Sequence, residues 1–370
     1  MKDAPRENEL QRTGPVTVLD GKSELWYFAG CDYLGMAWEP IVSEQAAHVA
    51  EAFGFSVAAS RRTTGNHPLY LDLETSLAAF FKAPRTLLVS CGYLTNLCVA
   101  QAMAGRIDTV YIDEKAHASL QDATLHFGAS RIVSFDHRSS RHLAQLLEAK
   151  GPSERIIVLT DGLFASDGSL APLAAYHKLL PESGWLLVDD AHAAGVLGRQ
   201  GHGSLEQHRL PYDRVIQTVT LSKAFGAGGG AINASVEIIE RIKTASRAFI
   251  GSTPPPLPVA AAALASTLLL VFEDRLRNLR KNVAIVRKAV REAGWKVSMS
   301  PGPVIALTTE DRKLRNRLEK SFKKHRIHFP WIVYPGGAEG GYLRLAISSA
   351  HPPEAIKALG RALLETGKTE

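Results

Sequence analysis

Between Thr86 and Leu221, six short apolar runs rich in β-branched residues alternate with stretches of helical spacing. The runs are Thr86–Ser90, Thr109–Ile112, Arg131–Phe135, Arg155–Thr160, Trp185–Val188 and Val215–Leu221. Short apolar runs of this kind read as strands buried on both faces. Strands that alternate with helices over such a length imply an α/β fold with a mostly parallel sheet. In open sheets of that kind, ligands bind beyond the carboxyl ends of the strands. The polar clusters fall at those ends: Gly92-Tyr93, His117, Asp161-Gly162, Asp189-Asp190-Ala191-His192 and Ser222-Lys223.

The flanking regions follow other patterns. Val16–Asp20 and Leu25–Ala29 read as a hairpin around Gly21, and Cys31–Met36 as a loop. Ile41–Phe53 has helical spacing. Ser60–Pro68 reads as a loop, with Pro68 suited to start a helix that carries Leu73, Leu77 and Phe80 on one face. After the sheet region, a helix, broken or unbroken, is expected from Leu257 to about Ala293. Strands are expected at Val297–Ser300, Val304–Leu307, near Ile327–Val333 and at Leu343–Ile347, with a basic helix at Arg312–His325 and a last helix from Pro353. The expected division is an N-terminal segment (1–44), a large domain (45–272) and a smaller α+β C-terminal domain (273–370).

Composition narrows the class. The 370 residues are 45% hydrophobic and 22% charged, as in ordinary soluble proteins. The net charge of +6 is spread along the chain without the basic-aromatic modules of nucleic-acid binders. Cys31, Cys91 and Cys98 form no C-x-x-C pair, which suits a reducing compartment. The N-terminal M-K-D-A-P-R-E-N-E lacks the apolar core of a secretion signal. The longest apolar run, Pro258–Phe272, is too short to span a bilayer. A cytoplasmic protein, without membrane or nucleic-acid partners, is expected.

Lys223 stands out, because an ammonium at the end of a buried strand is costly unless it is paired or chemically bound. Desolvation lowers the pKa of such a lysine and suits it to Schiff-base chemistry. An ordinary solvated lysine is the bland alternative. The segment Gly226-x-Gly228-x-x-Ala231 also fits a dinucleotide fingerprint, but no strand-end acid follows at the required distance. Asp189 and His192 admit a turn cap and a packed core histidine. A metal site would have only these two ligands, so no metal is expected. A third reading joins them to Lys223: pyridoxal phosphate needs a lysine and a carboxylate at its ring nitrogen. It also needs phosphate ligands, which a helix start at Gly92-Tyr93 and the hydroxyl of Thr220 could supply.

The combined motifs resemble the α-oxoamine synthase family of fold-type I pyridoxal-phosphate enzymes. They comprise Asp32-Tyr33-Leu34-Gly35, Ser60-Arg61 with Gly65 and Leu73-Glu74, Gly92-Tyr93-x-x-Asn96, His117-Ala118-Ser119, Asp167 to Leu173, Val188 to His192, Thr220 to Ala224, Ser252 to Pro255 and Leu343-Arg344-Leu345. The resemblance implies a seven-stranded, mostly parallel sheet and a small C-terminal domain. It implies that Lys223 carries the cofactor, Asp189 pairs its ring nitrogen, His192 meets its ring hydroxyl and His117 stacks on the ring. Gly92, Tyr93 and Thr220 would hold the phosphate, with Thr253 from a neighbouring subunit, so a homodimer with shared sites is expected. Arg344 would meet the substrate carboxylate.

The reaction implied is a decarboxylative condensation of an amino acid with an acyl-CoA or acyl-carrier thioester to an α-amino ketone. Transamination or aldol cleavage on the same scaffold is the alternative, and nicotinamide-dependent oxidation a remoter one. Three positions depart from the family pattern: Cys31 where asparagine is usual, Ala165 where a hydroxyl is expected, and Phe329-Pro330-Trp331 in place of an arginine-proline-proline segment.

Overall fold

The computed structural model describes residues 10–149, 151, 154–272, 274–333, 338 and 340–367. Residues 1–9, on which the secretion-signal reading rests, lie outside the described residues. The chain opens with an antiparallel sheet of β1 (Gln11–Gly14), β2 (Thr17–Asp20) and β3 (Ser23–Trp26). The expected hairpin therefore gains a third strand, and its last strand stops at Trp26.

The central sheet comprises β4 (Arg85–Val89), β5 (Thr109–Asp113), β6 (Arg131–Phe135), β7 (Ile156–Asp161), β8 (Trp185–Asp189), β9 (Val215–Thr220) and β10 (Gly230–Ala234). Their spatial order is β4-β10-β9-β8-β7-β5-β6. The pairs β9–β8, β8–β7, β7–β5 and β5–β6 are parallel, and β10 runs antiparallel to both its neighbours. Strands β5, β7 and β9 are buried at every position, as their largely apolar runs lead one to expect.

The C-terminal region carries β11 (Val304–Leu307), β12 (Trp331–Ile332) and β13 (Tyr342–Ala346), ordered β11-β13-β12 and antiparallel. The helices Arg275–Glu292, Arg312–Lys324 and Pro353–Leu364 accompany this sheet, and their apolar faces join the same buried cluster as β11 and β13. The long helix expected from Leu257 is two helices, Leu257–Phe272 and Arg275–Glu292.

Val297–Ser300 is not a strand, contrary to the sequence pattern. The buried Arg287 guanidinium meets this stretch at the Ser298 carbonyl (2.6 Å) and ties the following turn through the carbonyls of Gly302 (3.0 Å) and Val304 (3.0 Å), so these polar groups are satisfied by a side chain. No single helix among the described residues is long and apolar enough to cross a membrane.

Candidate active site

Parallel register brings three strand ends together. Asp161 at the end of β7 lies opposite Asp189 of β8, and Asp189 lies opposite Thr218 of β9. Past β9, the chain turns tightly: Gly226 N–H donates to the Lys223 carbonyl (2.9 Å) and Ala227 N–H to that of Leu221 (2.9 Å). Gly226 has φ of 61°, and a Cβ there would meet the backbone nitrogen of Ala37 at 2.1 Å. Glycine is needed here because the turn packs directly on the Met36–Ala37 backbone. The glycine-rich segment then enters β10, not a helix N-terminus. That geometry excludes the dinucleotide fingerprint, which requires a helix at this point.

Lys223 Nζ lies 2.7 Å from His192 Nε2, and His192 Nδ1 lies 2.7 Å from the Tyr33 hydroxyl. Burial lowers the Lys223 pKa, against the opposing pull of Cys31, Asp189 and Asp161. Burial, followed by the Lys223 charge, holds His192 well below the ordinary histidine range.

Asp189 is buried and fully engaged. Its Oδ1 accepts from Ala191 N–H (2.9 Å), an Asx-type turn, and its Oδ2 accepts from Asn96 Nδ2 (2.7 Å). Asn96 is itself oriented by the Thr218 hydroxyl, which donates to Asn96 Oδ1 at 2.8 Å. Asp161 accepts from His117 N–H at 2.8 Å. Burial and then the nearby Asp189 charge push Asp161 well above the usual carboxylate range. His117 caps the helix Ala118–Thr124, its Nδ1 accepting from Ser119 N–H (3.2 Å).

The helix Gly92–Ala102 begins beside the end of β9 with no side-chain cap. A Cβ at Gly92 would lie 2.6 Å from Thr220 Cβ. The amides of that helix start and the Thr220 hydroxyl are thereby drawn together, a combination suited to a phosphate. Tyr93 follows at the same helix start, partly exposed, with its hydroxyl donating to Asp122.

Arg344 arrives from β13. Its Nε donates to the Ala165 carbonyl (2.8 Å), and an Nη lies 3.8 Å from Cys31 Sγ. Burial raises the Cys31 thiol pKa, but the Arg344 and Lys223 charges and hydrogen bonds outweigh it, and the net shift is downward. A cavity of about 270 Å³ joins Cys31, His117, Ala165, His192, Lys223, Ile332, Tyr342 and Arg344.

Five of the expected residues, Lys223, Asp189, His192, His117 and Arg344, therefore converge, and Gly92 and Thr220 meet beside them. Thr253 is exposed and does not line the cavity. Sequence reasoning gave no role to Tyr33, Asn96, Ser119, Ile332 or Tyr342. Asn96 and Ser119 carried a usable signal, since they stand in the motifs Gly92-Tyr93-x-x-Asn96 and His117-Ala118-Ser119.

The donor set fits pyridoxal phosphate. A lysine and two histidines line one cavity beside the strand end that carries a buried carboxylate, and a helix start with no side-chain cap packs against a threonine. Among the described residues, no group of three or more His, Cys, Asp or Glu could hold a metal.

Comparisons with known proteins agree with that geometry. Residues 30–363 match the family "Aminotransferase class I and II". The chain is 34% identical over 356 residues to the 8-amino-7-oxononanoate synthase of Nitrosomonas europaea, covering 94% of this chain and 91% of that one. It is 37% identical over 356 residues to the 8-amino-7-oxononanoate synthase of Thioalkalivibrio sulfidiphilus, covering 95% and 90%. Among solved structures, the serine palmitoyltransferase of Sphingomonas wittichii superposes with a TM-score of 0.89 at 23% identity, over 96% of this chain and 90% of that one. The 8-amino-7-oxononanoate synthase of Francisella tularensis gives 0.77 at 24% identity, over 92% and 96%. At those identities the structural likeness speaks to the fold.

Proposed function

The chain belongs to the α-oxoamine synthase family within the class I and II aminotransferases, and from that premise we propose that it condenses an amino acid with an acyl thioester. The products would be carbon dioxide, a free thiol and an α-amino ketone, as in 8-amino-7-oxononanoate synthases. The observation that carries this reading is the single cavity that unites Lys223, His192, His117 and Arg344 above the Asp189 strand end.

Pyridoxal phosphate is the family's cofactor, and its protonated ring would delocalise the electron pair left at Cα. In this chain, Lys223 would tether the cofactor and Asp189 would keep the ring nitrogen protonated. Gly92, Tyr93 and Thr220 would hold the phosphate, and His117 would flank the ring. The Arg344 guanidinium would fix the amino acid's carboxylate, with its Nε already anchored on the Ala165 carbonyl. Freed as an amine, Lys223 Nζ would take the Cα proton, a role that its lowered pKa favours. Ala165 and Ile332 leave part of the cavity wall apolar, which suits an amino acid with a small apolar side chain.

Thr253 would reach a phosphate only in a second protomer, so a homodimer belongs to this reading. The exposed Phe53 and Phe55 are apolar surface that such a partner would cover. Sedimentation equilibrium tests it, and a monomer that binds cofactor at full strength would contradict it. The free cysteines and the absence of a membrane-length helix among the described residues favour a cytoplasmic location.

The test of the reaction is stoichiometric. Purified protein with an amino-acid panel and acyl-CoA or acyl-carrier thioesters should release thiol and carbon dioxide in equal amounts. Consumption of a keto acid, or release of an aldehyde without carbon dioxide, would assign transamination or aldol cleavage instead.

A further inference from the structure

We propose that Tyr33 is a positioning residue: its hydroxyl donates to His192 Nδ1, leaves the ring proton on Nε2, and so presents an N–H donor to Lys223 Nζ. The inference rests on the reading of Lys223 as the cofactor lysine, and it concerns a residue outside the groups assigned above.

The geometry is a continuous buried chain. The Tyr33 hydroxyl lies 2.7 Å from His192 Nδ1, and His192 Nε2 lies 2.7 Å from Lys223 Nζ. Tyr33 is fully buried and His192 is 6% exposed, so the Tyr33 hydroxyl and His192 Nδ1 are shielded from bulk water. A neutral imidazole carries one proton, and the partner of one nitrogen fixes the role of the other. Burial keeps His192 neutral and keeps the Tyr33 hydroxyl protonated. With Nδ1 occupied by the tyrosine proton, the ring proton resides on Nε2. Lys223 must then accept, which only the free amine can do.

Tyr33 is held for this task from the C-terminal region. Its carbonyl accepts from Ser349 N–H at 2.8 Å and from the Ser348 hydroxyl at 3.3 Å. Both residues follow β13, the strand that carries Arg344. The groups that receive the substrate carboxylate and set the lysine proton thus share one support.

Other charges face the chain. Cys31, Asp189, Asp161 and Arg344 surround Lys223, and Arg344 and His117 act on His192. The arrangement that competes is specific. A Lys223 ammonium would donate to Nε2, Nδ1–H would donate to Tyr33, and the tyrosine would turn its proton to the Cys31 sulfur beside it.

The test uses the full-length protein freed of cofactor, labelled with ¹⁵N-histidine, with His192→Gln to assign the ring signals. The expected wild-type result is a proton on Nε2. In Tyr33→Phe, which keeps the buried ring, the Nε2 proton should no longer be fixed. Acetylation of Lys223 by acetic anhydride, followed by mass spectrometry across pH, should then fall about tenfold at a pH below the lysine's midpoint, a rise of one pKa unit. A wild-type proton on Nδ1, or an unchanged Lys223 pH profile in Tyr33→Phe, would overturn the proposal. Should Tyr33→Phe not fold, the wild-type tautomer alone decides. Neither readout involves turnover, so failure of the condensation reaction would leave the tautomer result standing on its own.

Discussion

Lys223 is pulled in two directions: burial favours its amine, while Cys31, Asp189 and Asp161 favour its ammonium. Burial is the largest of these influences, which suits the proposed role of nucleophile and then base. Asn96 and the Ala191 amide hold the Asp189 carboxylate in place, as its proposed pairing with the ring nitrogen would need. Asp189→Asn keeps the shape and removes the charge. Turnover in that variant should fall by about a hundredfold or more while cofactor remains bound, measured by steady-state rates and cofactor absorbance. Near wild-type rates would mean that the ring is protonated by another group. Lys223, Asp189 and His192 were legible in the sequence, because each stands where a buried strand runs out. Arg344 was legible only through family resemblance, since nothing in its own neighbourhood marks it. Tyr33 could not be assigned, because its partner His192 lies 159 residues away and only the fold joins them.

Most of the central sheet was legible as elements, because strands buried on both faces are predominantly apolar. β10 was not. Its sequence, Gly-Ala-Ile-Asn-Ala, lacks β-branched density, and its place is set by pairing with both β4 and β9. The junction between β9 and the helix at Gly92 invites a direct test. Gly92→Ala puts a methyl 2.6 Å from Thr220 Cβ, so the helix start must shift. Affinity for pyridoxal phosphate should drop about tenfold or more in an absorbance titration, corresponding to ~1.4 kcal/mol. Unchanged affinity would show that this junction does not bear on the phosphate.

A second element-level prediction concerns His351, just before the last helix. Ser348 N–H donates to its Nδ1 (2.9 Å), its Nε2 reaches the Tyr27 carbonyl (3.1 Å), and its ring stacks on Phe28 at 4.0 Å. Burial holds its pKa down to about 4. Above the unfolded value near 6.5 both states are neutral and the group is silent. Below it, only the unfolded chain takes up the proton, so stability is lost progressively as pH falls from about 6.5 to about 4. The loss reaches about 3 kcal/mol. Urea midpoints measured across that window should decline in the wild type and decline less in His351→Gln.

For the whole molecule, the parallel sheet supplies Asp189, Lys223 and His192, and the C-terminal sheet supplies Arg344, Ile332 and Tyr342. Neither part contains the site alone. The α/β architecture followed from the alternation of patterns, because alternation dictates crossover connections. The closing of the two parts over one cavity did not, because it depends on long-range contacts such as Arg344 with Ala165. On the proposed function, Lys223 bonds covalently to pyridoxal phosphate at the end of β9. The most direct test of that bond is borohydride reduction of the loaded protein, followed by peptide mass spectrometry. The expected result is loss of the visible cofactor band and one phosphopyridoxyl label, on Lys223, absent from Lys223→Ala. A label on another lysine, or no reducible band after incubation with pyridoxal phosphate, would contradict it.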